Sequence, residues 1–230
     1  MKRLISMVHL SVGLKVVIAV TGLIMAAFAF FHLGNNLHIY WGQQIYNESG
    51  FAWKKPGIIE TARVVLSLSF VIHIIAIVWV TRINRRARGQ NYASFRYSMT
   101  TWSGRWMVLS GVFLGIFVVY HVLHAKAGFI HPSLHEGIDA WGNKDVYNLI
   151  VTTLRHPITG AVYFFGLTGL FAHLHHGVQS TLSSLGLAQD LRGKRIRLTC
   201  QILVTLLYIG YVSIPISAWL GILKPVVEAG

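Results

Sequence analysis

Five long apolar runs alternate with polar, aromatic or basic stretches along the chain, at about 12–33, 58–81, 104–126, 158–179 and 198–223. At 1.5 Å per residue each is long enough to cross a hydrocarbon core of ~30 Å. The pattern predicts an all-α integral membrane protein, a single transmembrane domain over 1–230 with its first four helices forming a bundle. Ala27-Phe28-Ala29 resembles a leader cleavage site, but a run of this length reads as a first transmembrane helix. The stretch 34–57 reads as a loop whose Tyr40, Trp41, Tyr46 and Trp53 suit headgroup depth. A dense basic loop, RINRRARG, follows the second run, and a second polar loop is expected over 127–155. Pro157 suits a helix start, where its missing N–H costs nothing, and Pro215 predicts a kink in the last helix.

Composition supports this pattern. The chain has 230 residues, of which 54% are hydrophobic and 12% charged, with a mean hydropathy of +0.57, too apolar for an ordinary soluble domain. The net charge of +13 does not mark a nucleic-acid binder, because the basic residues sit between apolar runs rather than along one stripe. Lys2, Arg3, Arg82, Arg85, Arg86, Arg88, Arg96, Arg105, Arg192, Lys194, Arg195 and Arg197 fall on one face, 12 of the 20 Lys and Arg. Lys15 lies at the same end of the first helix. The positive-inside rule then puts the N-terminus in the cytoplasm and the C-terminus outside, in a multi-pass protein of the cell inner (cytoplasmic) membrane. The lone Cys200 excludes a disulfide framework, and with no CxxCH motif there is no covalent haem attachment.

The candidate chemistry lies in four histidines, His32, His73, His121 and His173, one in each of four successive runs. An ionisable ring in hydrocarbon is costly and points to function. Their depths follow from helix rise. His32 lies about 26 Å beyond Lys15 and His121 about 24 Å beyond Arg105, both towards the outer face. His73 precedes Arg82 by about 14 Å and His173 follows Arg155 by about 27 Å, both towards the cytoplasm. The four therefore sort into an outer pair, His32 with His121, and an inner pair, His73 with His173, as two stacked bis-histidine haems b require. His124 and His176 each lie three residues beyond a candidate ligand on the same face. Either is an alternative ligand or a propionate partner. His175 reads as a lipid-interface residue, and His9, His38, His131, His135 and His156 as surface or locally bonded ones. Gly22, Gly111, Gly115, Gly160, Gly166 and Gly169 suit either approach to a flat macrocycle or helix–helix contact. Arg105, Lys15 and Arg63 are candidate propionate partners by depth, and Glu60, Asn35 and Asn36 candidate quinone contacts near the outer pair.

The stretches FFHLGNNL, GQQIYNESGF and GIIETARVVLSLSFVIH resemble the first two helices of the cytochrome b subunit of succinate:quinone oxidoreductases. WSGRWMVLSGVFLGIFVVYHVLH and HLHHGVQSTLSSLG resemble its third and fourth. The form resembled is the single-chain one with five helices and two b haems, and the likeness covers nearly the whole chain. It implies a membrane anchor for a flavoprotein and an iron–sulfur subunit on the cytoplasmic face, in an assembly open to higher oligomers. It also implies electron flow from succinate through two haems to a quinone, menaquinone in this form. By position, His32 and His121 match the distal-haem ligands and His73 and His173 the proximal ones. The family pattern favours His173, four residues before Gly177, over His176. Some di-haem relatives carry a glutamate, tied to transmembrane proton movement, two residues before the last ligand; here that residue is Phe171.

Two imidazoles saturate an iron and leave no open position, so such haems would carry electrons rather than perform catalysis. The dicarboxylate chemistry would lie on the flavoprotein. Other classes share parts of the pattern: a haem-free permease or proton channel with histidine relays, and a di-haem anchor for fumarate reductase, hydrogenase or formate dehydrogenase.

Overall fold

The computed structural model describes residues 2–52, 57–87, 100–188 and 190–226, with side chains described over 10–50, 57–84, 107–188 and 190–226. It is 84% helical. Among the described residues the one β feature is an isolated bridge between Ile138 and Lys144. Helix α1 runs Lys2–Asn36 and tightens into a 3₁₀ turn at Leu37–Trp41. Gly42, at φ +102°, turns the chain into α2, Gln43–Ala52. Helix α3 spans Ile58–Ala87 and α4 Thr100–His121, the latter continuing as a π turn over Val122–Lys126. The short α5 (Pro132–His135) and α6 (Val146–Arg155) precede α7, Pro157–Ser184, and α8, Leu191–Trp219.

Among the described residues, five helical segments are long and apolar enough to cross a membrane: Leu10–Trp41, Ile58–Asn84, Met107–Lys126, Pro157–Ser184 and Leu191–Trp219. The predicted spans are all present, with shifted ends. Pro157 opens α7 at its first turn as expected. Pro215 is retained inside α8, fully buried, and the helix continues past it to Trp219, four residues short of the predicted end.

The two polar connections differ from the sequence reading, because both contain helix. The α6 helix starts where the Asp145 carboxylate accepts the Asn148 N–H at 3.1 Å. It then buries Tyr147, Leu149, Val151 and Leu154 against the ends of α7 and α8. Its amphipathic stripe is only ten residues long, too short to span a membrane but long enough to lie across helix ends.

Helix α3 packs on α1, α4 on α7, α1 on α7, and α8 on α7 and α1. Small residues make the close approaches. A side chain at Gly166 would run into the Phe117 ring, one at Gly160 into Trp219, and one at Gly169 into Phe113 at 2.6 Å. Those three glycines therefore serve helix contact, the membrane form of packing. Gly115 has nothing within 4 Å of the position a side chain would take.

Candidate paired-histidine centre

The outer pair is brought together. The rings of His32 on α1 and His121 on α4 lie 5.9 Å apart, centre to centre, with an angle of 72° between their planes. Phe28 stacks on His32 at 5.3 Å, and Tyr211 of α8 approaches it at 6.3 Å while its hydroxyl donates to the Ala29 carbonyl at 2.8 Å. His121 and His124 converge on one group that sequence reasoning missed. The Tyr163 hydroxyl lies 3.1 Å from His121 Nδ1 and 2.7 Å from His124 Nδ1. Having a single proton, that hydroxyl can donate to one of the two rings at most. His121 thus faces His32, whereas His124 is fully buried beside Tyr120 and His131, its Nε2 without a partner.

The inner pair is positioned by hydroxyls. His73 Nδ1 lies 2.9 Å from Thr21 Oγ1, and His173 Nδ1 lies 3.4 Å from Ser110 Oγ. His176 instead directs Nδ1 to the Ala172 carbonyl of its own helix at 2.8 Å and packs edge-on against His175. Between the alternatives left open by sequence, the geometry thus sets His121 against His32 and gives His173, rather than His176, an inter-helix hydroxyl partner.

The remaining candidates are dispersed. Asn35 has a buried Oδ1 without a partner, one turn beyond His32, and its carbonyl accepts from His38 Nδ1 at 3.1 Å. Asn36 is half-buried, and Lys15 is exposed. Glu60 is exposed and accepts the Gly57 N–H at 3.0 Å, with Arg63 at 3.9 Å, so it caps the start of α3. A carboxylate there meets the positive end of the helix dipole. The Arg105 side chain lies outside the described residues. Phe171 packs tilted against Tyr208 of α8 at 4.8 Å and contacts His175 one turn on in its own helix. Among the described residues no group of three or more His, Cys, Asp or Glu converges as an ion cage.

Imidazole is a donor that haem iron takes, and His32 and His121, 5.9 Å apart, would hold one metal between them. Three of the four rings are held through Nδ1, to Tyr163, Thr21 and Ser110, which leaves Nε2 as the free donor. Outer partners of this kind orient metal-binding histidines. An apolar groove of about 710 Å³ opens between α4 and α7, lined by Phe113, Phe117, Tyr120, Ile158 and Phe165 among others.

The described residues form an all-helical fold with five helices long and apolar enough to cross a membrane, and it brings His32 and His121 together. Compared with known protein families, curated proteins and solved structures, the chain has no match.

Proposed function

We propose that the chain is the di-haem cytochrome b membrane anchor of a succinate:quinone oxidoreductase, passing electrons from an iron–sulfur subunit to a quinone of the menaquinone type. The observation that carries the reading is the outer pairing, with each inner ring held by a hydroxyl. His32 faces His121, and His73 and His173 each direct Nδ1 to a hydroxyl on an adjacent span.

Each bound haem would supply one-electron transfer. His32 and His121 would hold the outer one, and His73 and His173 the inner one. Tyr163 would keep the proton of His121 on Nδ1 and donate its own to His124 Nδ1. That leaves His124 a buried Nε2–H, suited to a propionate or a quinone oxygen. Tyr120, stacked on His124 at 5.9 Å and lining the apolar groove, offers a polar edge beside an apolar channel, as quinone binding requires. The flavoprotein and iron–sulfur subunits would dock on the cytoplasmic face, which the Lys and Arg distribution assigns to the N-terminus.

The test is a reduced-minus-oxidised spectrum with pyridine haemochrome quantitation on the purified complex. Two haems b per chain are expected. His32→Ala and His121→Ala should remove one and the same haem, and His73→Ala and His173→Ala the other. One observation favours a second reading: the His121–Tyr163–His124 chain is continuous and suits a proton relay. A folded preparation with no Soret band would overturn the first reading and leave the relay reading in the lead.

A further inference from the structure

The sequence carries an internal repeat that ends on the outer histidines and opens against the inner ones. In α1 the segment TGLIMAAFAFFH runs Thr21 to His32, and in α4 SGVFLGIFVVYH runs Ser110 to His121. Both open on a hydroxyl residue followed by glycine. Both place a small residue at the sixth position (Ala26, Gly115), Phe at the eighth (Phe28, Phe117) and an aromatic residue just before the histidine (Phe31, Tyr120). The hydroxyl and the outer histidine are eleven residues apart in each. That is close to three turns, so both lie on one helix face about 16 Å apart.

The structure uses the two openings alike. The His73 ring from α3 lies over Gly22, with Cε1 3.3 Å from where a side chain would begin. The His173 ring from α7 lies over Gly111, with Cε1 at 3.1 Å. Beside each glycine the hydroxyl has a carbonyl of its own helix to donate to. Thr21 reaches the Val17 carbonyl at 2.7 Å and Ser110 the Met107 carbonyl at 3.1 Å. With its proton so placed, each hydroxyl oxygen can accept from the Nδ1 that faces it.

We infer that Thr21-Gly22 and Ser110-Gly111 are a duplicated positioning device. Each hydroxyl accepts from the inner histidine of the neighbouring span and fixes it in the Nδ1–H tautomer, and each glycine seats the ring so that Nε2 is free. The inference rests on the di-haem reading for its purpose but not for its geometry. Accepting from Nδ1–H makes Nε2 a stronger donor and favours the oxidised metal. Loss of either hydroxyl should therefore raise the midpoint potential of the same, inner haem.

The test uses Thr21→Val, Thr21→Ser, Ser110→Ala and Ser110→Thr in the purified complex. Redox titration should show one haem midpoint displaced upward in Thr21→Val and in Ser110→Ala, and the wild-type value in the two hydroxyl-retaining variants. Side-chain ¹⁵N spectra of the histidine-labelled full chain should show His73 and His173 protonated at Nδ1, with a mixed tautomer at His73 in Thr21→Val. The device is overturned if the two hydroxyl-removing variants displace different haems, if both leave the midpoints unchanged, or if the tautomers are mixed in the wild type. A wild-type chain without haem would sink the functional reading alone, since the tautomer spectra would still decide this one.

Discussion

At the scale of single residues, Tyr163 is the least replaceable polar group in the centre. One hydroxyl serves two buried rings, and a buried group left without its partner costs about 1–3 kcal/mol. Tyr163→Phe is expected to lower stability by about that amount in thermal unfolding of the purified chain. On the proposed di-haem reading it should also shift the midpoint of the outer haem and leave the inner one in place. An equal shift of both would show that the tyrosine acts through general packing rather than through His121. The histidines themselves were legible in the sequence because an ionisable side chain stands out in an apolar run. Tyr163, Thr21 and Ser110 were not. Hydroxyl residues are common in membrane helices, where they bond back to their own backbone as Thr168 does to Phe164 at 2.8 Å. Their partners are set by which span lies alongside, and a single sequence does not state that.

At the scale of elements, α4 and α7 are held together by aromatic rings seated on glycines, Phe117 on Gly166 and Phe113 on Gly169. Gly166→Val leaves the Phe117 ring no place, and overpacking of this kind costs typically about 1–3 kcal/mol. Because Phe117 also contacts His121 and Tyr163, the variant should loosen the outer pair before the inner one. Thermal unfolding and haem content of Gly166→Val, set against Gly13→Ala on an open helix face, measure this. Equal stability of the two variants would refute the seated-ring account. The spans were readable from hydropathy alone, since length and apolarity decide whether a helix can cross a bilayer. The connecting helices were not, because α2 and α6 are ten residues each, with polar residues spaced through them, and read locally as loop. They form helix because they pack on the ends of the spans.

At the scale of the whole molecule, one end of the bundle is closed by a buried polar network that joins the connections. Asn47 of α2 donates to Asp139 at 2.9 Å and to Asp145 at 3.2 Å, and its own carbonyl accepts the Tyr147 N–H at 2.9 Å. Gln43 donates to Asp145 at 2.9 Å, and Asn148 exchanges hydrogen bonds with the backbone of Val226 beyond α8. Burial pushes the Asp139 carboxyl up, but hydrogen bonds from Asn47 and from the backbone of Asn143 and Trp141 outweigh it. They hold the group below its usual value of 3.8. A depressed value in the folded state means the network stabilises fully above the unfolded carboxylate value. That contribution is lost as pH falls through the folded one. The unfolding temperature should therefore be level with respect to Asp139 at neutral pH and drop on acidification below about 4. Asn47→Ala removes two donors from buried carboxylates and should cost about 2–3 kcal/mol at neutral pH. It should also flatten the acid limb, because Asp139 then loses part of what holds it ionised. An acid limb of unchanged steepness in that variant would place the acid sensitivity elsewhere. Asp139 and Asp145 stand in the polar stretch 127–155 with nothing nearby in sequence to join them, since the residue that does, Asn47, is more than ninety positions away.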